Sequence, residues 1–327
     1  MSIGVGLIGY GGQFAMGKHH AENVHKTEGL ELKAVFDVDP ARREAARKEQ
    51  PDATVFDTYD SLLGSPDVQM VVLITPHDTH APLSISASKA GKHVLTEKVM
   101  CLNVAECDAM IEAAKKADRM LTVYQNRRHD GDYLTVNRVL SSGMLGKVFS
   151  IESSVNGQWF PAGWRGVKKH GGGMLYDWGA HLLDQIVQIM LPARPKSVFA
   201  TFHHGGHEVD IETQDTVSVL FDNGVMAQVD VGCISWLTRP RWLVRGEKAA
   251  LQMADWETCK VRGVFNGVEG EMSVPVEKGR WEEFYPSVSR HLNEGGPLPV
   301  DPSEVRIAMQ VIDAAFESAK TGSSVTI

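Results

Sequence analysis

The chain has 327 residues, 43% of them hydrophobic and 23% charged, with Lys+Arg 33 against Asp+Glu 41 and a formal net charge of -8. That length holds about two domains of ~150 residues, and the composition is that of a globular protein, which excludes a small disulfide scaffold and a disordered or collagen-like chain. The acidic balance repels phosphate backbones and anionic lipid, so neither nucleic acid nor a membrane surface is an expected partner.

The four cysteines, Cys101, Cys107, Cys233 and Cys259, lack the short paired spacings of a zinc site and the density of a secreted scaffold. They read as reduced thiols filling the core of a cytoplasmic protein. The apolar runs are strand-sized, well short of the ~18 residues that span a membrane. The apolar N-terminus has no basic region and no small-residue cleavage site, so it reads as a first buried strand and not as a signal peptide.

Through residue 125, short runs rich in Val, Ile and Leu at 3–8, 32–36, 68–74, 93–95 and 121–124 alternate with segments that can hold helices. Asn103-Val104-Ala105-Glu106 has the spacing of a capping box, after which Val104, Cys107, Ile111 and Ala114 share one helical face. Strands alternating with helices predict a parallel, doubly wound sheet, hence an α/β domain over 1–125. Beyond it, runs at 148–155, 197–202, 216–221 and 225–231 alternate in the manner of half-buried antiparallel strands, with an Asn223-Gly224 hairpin signal and one long helix near 174–190. These predict a second α/β domain over 126–327 with an open, largely antiparallel sheet. A cleft between two domains is the default site.

After the first strand comes Gly9-Tyr10-Gly11-Gly12-Gln13-Phe14-Ala15-Met16-Gly17. Glycines let a backbone turn sharply and approach a pyrophosphate, whose charge the following helix N-terminus favours. Gly9, Gly11 and Gly12 are candidate cofactor residues. Phe14 occupies the third glycine position of the strict GxGxxG spacing, and Gly17 is a candidate to replace it after a short insertion. Asp37, ending the second run, stands where a carboxylate receives ribose hydroxyls and repels a 2′-phosphate, which favours NAD over NADP. Arg42 and Arg43 keep NADP open, since a guanidinium accommodates that phosphate.

Two further segments carry candidate chemistry. Lys98 ends the strand Val94-Leu95-Thr96-Glu97-Lys98, and Asp177 and His181 stand four apart after Gly171-Gly172-Gly173. On a helix that spacing puts them on one face, about 5–6 Å apart at Cβ. The competing readings are a satisfied structural histidine or a solvated stripe, Asp177, His181, Asp184 and Gln188, beside the apolar stripe of Leu175, Trp178, Leu182, Ile186 and Ile189. Trp159, Phe160, Trp164 and Arg165 precede this helix in a loop, where aromatic faces and a guanidinium suit a polyol, and an aromatic mini-core is the alternative. His203, His204, His207, Glu208 and Asp210 read as a polar loop between strands, with no metal site.

Together these segments resemble the glucose-fructose oxidoreductase, inositol dehydrogenase and rhizopine-catabolism family (Gfo/Idh/MocA), closest to its scyllo-inositol dehydrogenase-like branch. The resemblance extends to Thr75-Pro76 with His80, to Gln125-Asn126-Arg127-Arg128 and to Glu317-Ser318-Ala319-Lys320-Thr321-Gly322. The family's usual Glu-Lys-Pro reads Glu97-Lys98-Val99, and His77 replaces its usual Asn. The resemblance implies that Thr75, Pro76, His80, Glu97, Lys98 and Asn126 join the cofactor site, and that Arg127, Trp164, Arg165 and Tyr176 line the substrate pocket. It also implies that the open sheet joins copies into a homodimer or homotetramer.

Its implied activity is an NAD(P)-dependent dehydrogenase acting on a secondary hydroxyl of a polyol, inositol or sugar, with Lys98, Asp177 and His181 catalytic. His181 suits a general base because its reference pKa of ~6.5 lies near working pH. Lys98 suits alkoxide stabilisation or proton donation. The sequence leaves the proton between them. It also leaves two alternatives, an epimerising or glycosidase-like enzyme that retains NAD and a catalytically silent dinucleotide-binding regulator.

Overall fold

The structure, a computed structural model, describes residues 2–11 and 14–327. The chain forms two compact units, one of Met1–Gln125 with Glu282–Arg306, the other of Asn126–Trp281 with Ile307–Ile327. A single boundary between 125 and 126 therefore omits a return of the chain. Residues 282–306 pack with the first unit, a long-range pairing that no local pattern announces.

In the first unit β1 (Ile3–Ile8), β2 (Leu30–Phe36), β3 (Thr54–Phe56), β4 (Met70–Leu73), β5 (His93–Thr96) and β6 (Leu121–Val123) form a wholly parallel sheet in the order β3-β2-β1-β4-β5-β6. The strands alternate with α1 (Met16–Lys26), α2 (Pro40–Glu49), α3 (Tyr59–Leu63), α4 (His80–Lys89) and α5 (Val104–Ala117). β4 is buried throughout, as a strand covered on both faces must be. β3 was not among the apolar runs, being only three residues long. Strand order reverses between β1 and β4, the place where open α/β sheets bind ligands.

The second unit holds α6 (Gly131–Ser141), β7 (Val148–Asn156), α7 (Ala180–Met190), β8 (Pro195–His203), β9 (Gln214–Phe221), β10 (Met226–Gly232), β11 (Trp242–Gly246), β12 (Ala249–Met253), β13 (Cys259–Phe265) and β14 (Val268–Val274). After α8 (Phe284–Glu294) in the first unit, α9 (Pro302–Thr321) leads to β15 (Val325–Thr326). The nine strands run β14-β13-β12-β11-β7-β10-β9-β8-β15. Gly224, at φ +85°, turns the chain between antiparallel β9 and β10, as the Asn-Gly signal predicts. One pair departs from the antiparallel expectation, because β10 runs parallel to β7. Alternation reports which face is buried and not the direction of the neighbour. Val198, Ala200, Val217, Val219, Ala227, Val229 and Ile151 face the covered side, where α7 packs, while Phe199 and Met226 stay exposed on the other.

The long helix expected near 174–190 is two pieces. Leu175–Gly179 is a π-helical turn, and α7 follows it. Single π turns inside α-helices occur mostly at functional sites. All four cysteines are buried free thiols. Among the described residues no helix is long and apolar enough to cross a membrane.

The predicted capping box forms at α5. Asn103 Oδ1 accepts the Glu106 N–H at 2.9 Å, and the Glu106 carboxylate accepts the Leu102 N–H at 2.9 Å. Asn103→Ala removes the first of these, and chemical denaturation should show a loss of about 1 kcal/mol in unfolding free energy.

Candidate active site

The turn after β1 is built for close approach. Gly9 has φ +98°, and a Cβ there would overlap the Ile74 carbonyl at the end of β4 and touch Thr75. Around Gly11 a Cβ would meet nothing within 4 Å, so its backbone faces open space. Gly12 lies outside the described residues. Phe14 and Ala15 both adopt the left-handed region, and the Phe14 side chain is 65% exposed. Gly17 sits in α1, where a Cβ would come within 2.9 Å of Tyr10 Cα. Close packing of the helix on the segment after β1 requires the missing side chain at Gly17, the steric demand that the third glycine of a dinucleotide loop meets. α1 has no side-chain cap and no acid in its first turn, which leaves its leading amides for an anion.

Asp37 is nearly buried. Its carboxylate accepts the Tyr10 N–H at 2.6 Å and the Asp39 N–H at 2.8 Å, tying the end of β2 to the loop after β1. Arg43 turns its guanidinium to the Asp37 and Val38 carbonyls and to Asp57, at 2.8, 3.2 and 3.3 Å. Arg42 is exposed. Glycines free of side-chain bulk, uncapped amides and a fixed carboxylate beside the strand-order reversal fit a dinucleotide.

The loops after β4 and β5 support one another. The Thr79 hydroxyl bonds the Thr75 hydroxyl and the Pro76 carbonyl, each at 2.6 Å. His80 is fully buried, with its ring nitrogens 2.7 Å from the Val99 carbonyl and 2.9 Å from the Thr75 carbonyl. It braces the two loops and presents no ring nitrogen to a cofactor, which corrects the sequence-based assignment. Glu97 is likewise engaged within the protein. Its carboxylate meets His20 Nε2 at 2.9 Å and accepts the Lys98 N–H at 3.0 Å. Burial raises its pKa, but His20 and Lys98 outweigh that and hold it below the usual carboxylate range. His20 Nδ1 in turn meets the Tyr285 hydroxyl at 2.5 Å, and His19 meets that of Tyr124 at 2.8 Å. Lys98 is half-buried, and its peptide to Val99 is cis.

In the second unit the π turn gathers charged and aromatic groups. Asp177 pairs with Arg165 at 3.3 Å, and Arg165 stacks 4.4 Å over Trp164. His181 is buried at the start of α7, its ring 6.2 Å from Trp178. Asn126 and Arg127 begin a short turn, Asn126–His129, where the Arg127 guanidinium lies 4.3 Å from Trp178, 5.7 Å from Trp256 and 5.5 Å from Trp281. Asp130 accepts from Arg127 at 3.0 Å and from the Trp281 indole at 2.6 Å, while burial pushes its pKa up. A cavity of about 600 Å³ opens here, lined by Arg127, Asp130, Asp132, Trp256, Glu257 and Trp281. Tyr176, expected in the substrate pocket, has its ring on Phe316 of α9, a packing position.

The polar stripe of α7 is not a solvated face. Asp184, 1% exposed, receives Arg128 through two bonds of 2.7 and 2.8 Å. Gln185 joins the Arg127 carbonyl at 2.7 Å to Arg241 at 2.9 Å, and Arg241 pairs with Asp132 at 2.9 Å. Burial lowers the Arg241 pKa to about 10. The first unit thus brings together Gly9, Gly11, Asp37, Thr75 and Pro76, with Glu97 and Lys98 at the end of β5. The second brings together Arg127, Trp164, Arg165, Asp177 and His181. Sequence reasoning missed His20, Tyr285, Trp256, Trp281 and the Arg128–Asp184 pair. Asp184 carried a signal as a polar residue in register with His181, and Arg128 as part of the Gln125-Asn126-Arg127-Arg128 segment.

Residues 3–125 match the Gfo/Idh/MocA "oxidoreductase family, NAD-binding Rossmann fold" and residues 133–252 match the "GFO/IDH/MocA C-terminal domain". The uncharacterized oxidoreductase YdgJ of Escherichia coli K12 is 30% identical, over 98% of this chain and 97% of its own length. The scyllo-inositol 2-dehydrogenase (NADP(+)) IolW of Bacillus subtilis is 26% identical, over 98% and 94%. A solved NAD-binding protein from Listeria innocua is 31% identical with a TM-score of 0.91, covering 100% of this chain and 97% of that one.

Arg128→Ala strands the buried Asp184 charge. Equilibrium denaturation should show a loss of about 3 kcal/mol, and Arg128→Met with Asp184→Leu should lose much less, because no unpaired charge then remains.

Proposed function

Because this chain belongs to the Gfo/Idh/MocA oxidoreductase family, we propose that it transfers a hydride between NAD(P) and a secondary hydroxyl of a polyol, inositol or sugar. The observation that carries the reading is the π turn, which offers a carboxylate held by a guanidinium and, one turn on, a buried imidazole beside an indole. The Trp256 and Trp281 faces in the adjoining cavity suit the C–H face of a sugar-like ring, and Arg127 and Glu257 suit its hydroxyls.

The nicotinamide supplies the hydride acceptor. Gly9, Gly11, Asp37 and Thr75 hold the dinucleotide, with Asp37 favouring NAD. The Lys98 ammonium binds the reacting hydroxyl and stabilises its developing negative charge. His181 takes the hydroxyl proton, and Asp177, oriented by its ion pair with Arg165, favours the imidazolium that results. His20 and Glu97 hold the backbone of Lys98. The exposed sheet face carrying Phe199 and Met226 seats a second copy of the chain in a homo-oligomer.

Turnover of a polyol and sugar panel with NAD and with NADP tests the activity. Lys98→Met should keep folding and dinucleotide binding while lowering turnover about 100-fold or more. Near-wild-type turnover would remove Lys98 from the mechanism.

Alcohol oxidation should accelerate with pH through one ionisation that His181→Asn abolishes, and Asp177→Asn should slow the same step. The double substitution should be little worse than the more damaging single one, since residues acting as a unit are non-additive. An unchanged pH profile in an active His181→Asn variant would shift the proton to Lys98.

A further inference from the structure

Beneath the π turn lie two carboxyl groups for which the proposed chemistry has no use. Glu212 precedes β9 and is 4% exposed, and Asp215 lies within β9 and is fully buried. Gly173, at φ +119°, has no room for a side chain because a Cβ there would overlap the Glu212 carboxylate. The glycine run before the turn therefore admits an acid against bare backbone. The Leu175 N–H donates to Glu212 Oε1 at 3.3 Å and also bears on Asp215. Neither Asp215 oxygen has a hydrogen bond of ordinary geometry among the described residues.

Other buried acids of this unit face arginines: Asp184 has Arg128, Asp132 has Arg241 and Asp130 has Arg127. Among the described residues Glu212 and Asp215 have no such arginine partner. The cation bearing on Glu212 is Lys168, which is exposed. On the opposite face of the sheet, Asp230 of β10 adds a further negative charge to Asp215, its own carboxylate tied to Asn156, Gln214 and Thr216 at 2.8–2.9 Å and 3.8 Å from Arg239. The Cys233 thiol beside them is turned to the Thr213 carbonyl. Two carboxylates bearing on one another in a dry site, with the amides of Leu175 and of Glu212 itself as their backbone donors, cannot both stay ionised.

We propose that Glu212 and Asp215 share a single proton, and that the Glu212 carboxylate so kept in its dry site is a positioning residue, holding the backbone at Gly173 and Leu175 so that the π turn presents Asp177 to Arg165 and places His181 at the start of α7. The positioning role rests on the reading of Asp177 and His181 given above; the proton sharing does not. Burial pushes Glu212 up to about 7 and, with the charges of Glu212 and Asp230, lifts Asp215 well above the usual carboxylate range. A carboxyl whose pKa is raised by folding stabilises the folded chain at low pH. That contribution disappears as pH rises from the unfolded value of ~4 through about 7.

Denaturant unfolding of the full chain between about pH 5 and 8 reads this directly. Over the window, the wild-type unfolding constant should rise by up to about tenfold per pH unit, and Asp215→Asn, which has no proton to lose, should flatten that rise. Asp215→Asn should also bind NAD as the wild type does and keep turnover within about threefold. Glu212→Leu, which cannot accept the Leu175 amide, should lower kcat about tenfold with little change in KM, and its crystal structure should show residues 173–179 displaced. A wild-type stability that is flat or rises over this range, or an unaltered slope in Asp215→Asn, overturns the shared proton. An undisplaced turn in Glu212→Leu overturns the positioning role. If the slope and the displacement appear and no polyol is turned over, the pair stands and the activity reading fails.

Discussion

Charge taken out of water must be answered, and the second unit is organised around that requirement. Its central helix α7 is buried along most of its length, yet carries Asp184, Gln185 and His181 inward. The arrangement holds because Arg128 meets Asp184, Arg241 meets both Gln185 and Asp132, and Arg127 meets Asp130. Such pairs add little net stability, since desolvation offsets most of their attraction, but misplacing one partner leaves an uncompensated charge. They therefore select one packing of α7 against the sheet. Asp177 and His181 inherit their positions from that selection.

The first unit meets a different constraint, steric before electrostatic. β1 and β4 run side by side until the chain turns at Gly9, where the Ile74 carbonyl leaves no space for a side chain. Tyr10 then packs under Gly17, and its amide is bound by Asp37. The loop is thus held at both ends, and the helix that follows it has no side-chain cap. Farther along the same sheet edge, His80 braces the loops after β4 and β5, and the His20–Glu97–Lys98 chain of contacts holds the end of β5. Tyr285, from the segment that returns to this unit, closes that chain against His20.

Aromatic rings connect the polar groups of the second unit. Trp178 lies between His181 and Arg127, and Trp256 lies between Arg127 and Arg241. A guanidinium stacked on indole is kept planar and oriented while retaining edge donors for other partners. Trp256, with Trp281, also gives the neighbouring cavity flat apolar walls among acids and an arginine.

Period, glycine placement and strand-end acids were enough to read the doubly wound sheet, the loop at Gly9, Asp37 and the α5 cap from sequence, because each depends on residues within a few positions of one another. The resemblance on Glu97-Lys98, Asp177 and His181 added the family and its chemistry. What the sequence could not determine depends on contacts between distant residues. The parallel pairing of β10 with β7 escapes alternation, which records burial alone. His80 became a brace and Tyr176 a packing residue because their surroundings, set by other strands and by α9, took up their polar or aromatic surfaces. Gly173 reads as flexibility in one dimension, whereas in three it is the space occupied by the Glu212 carboxylate. Periodicity can say that a residue is turned inward, but which charge meets it there is decided only when strands and helices far apart in the chain close around it.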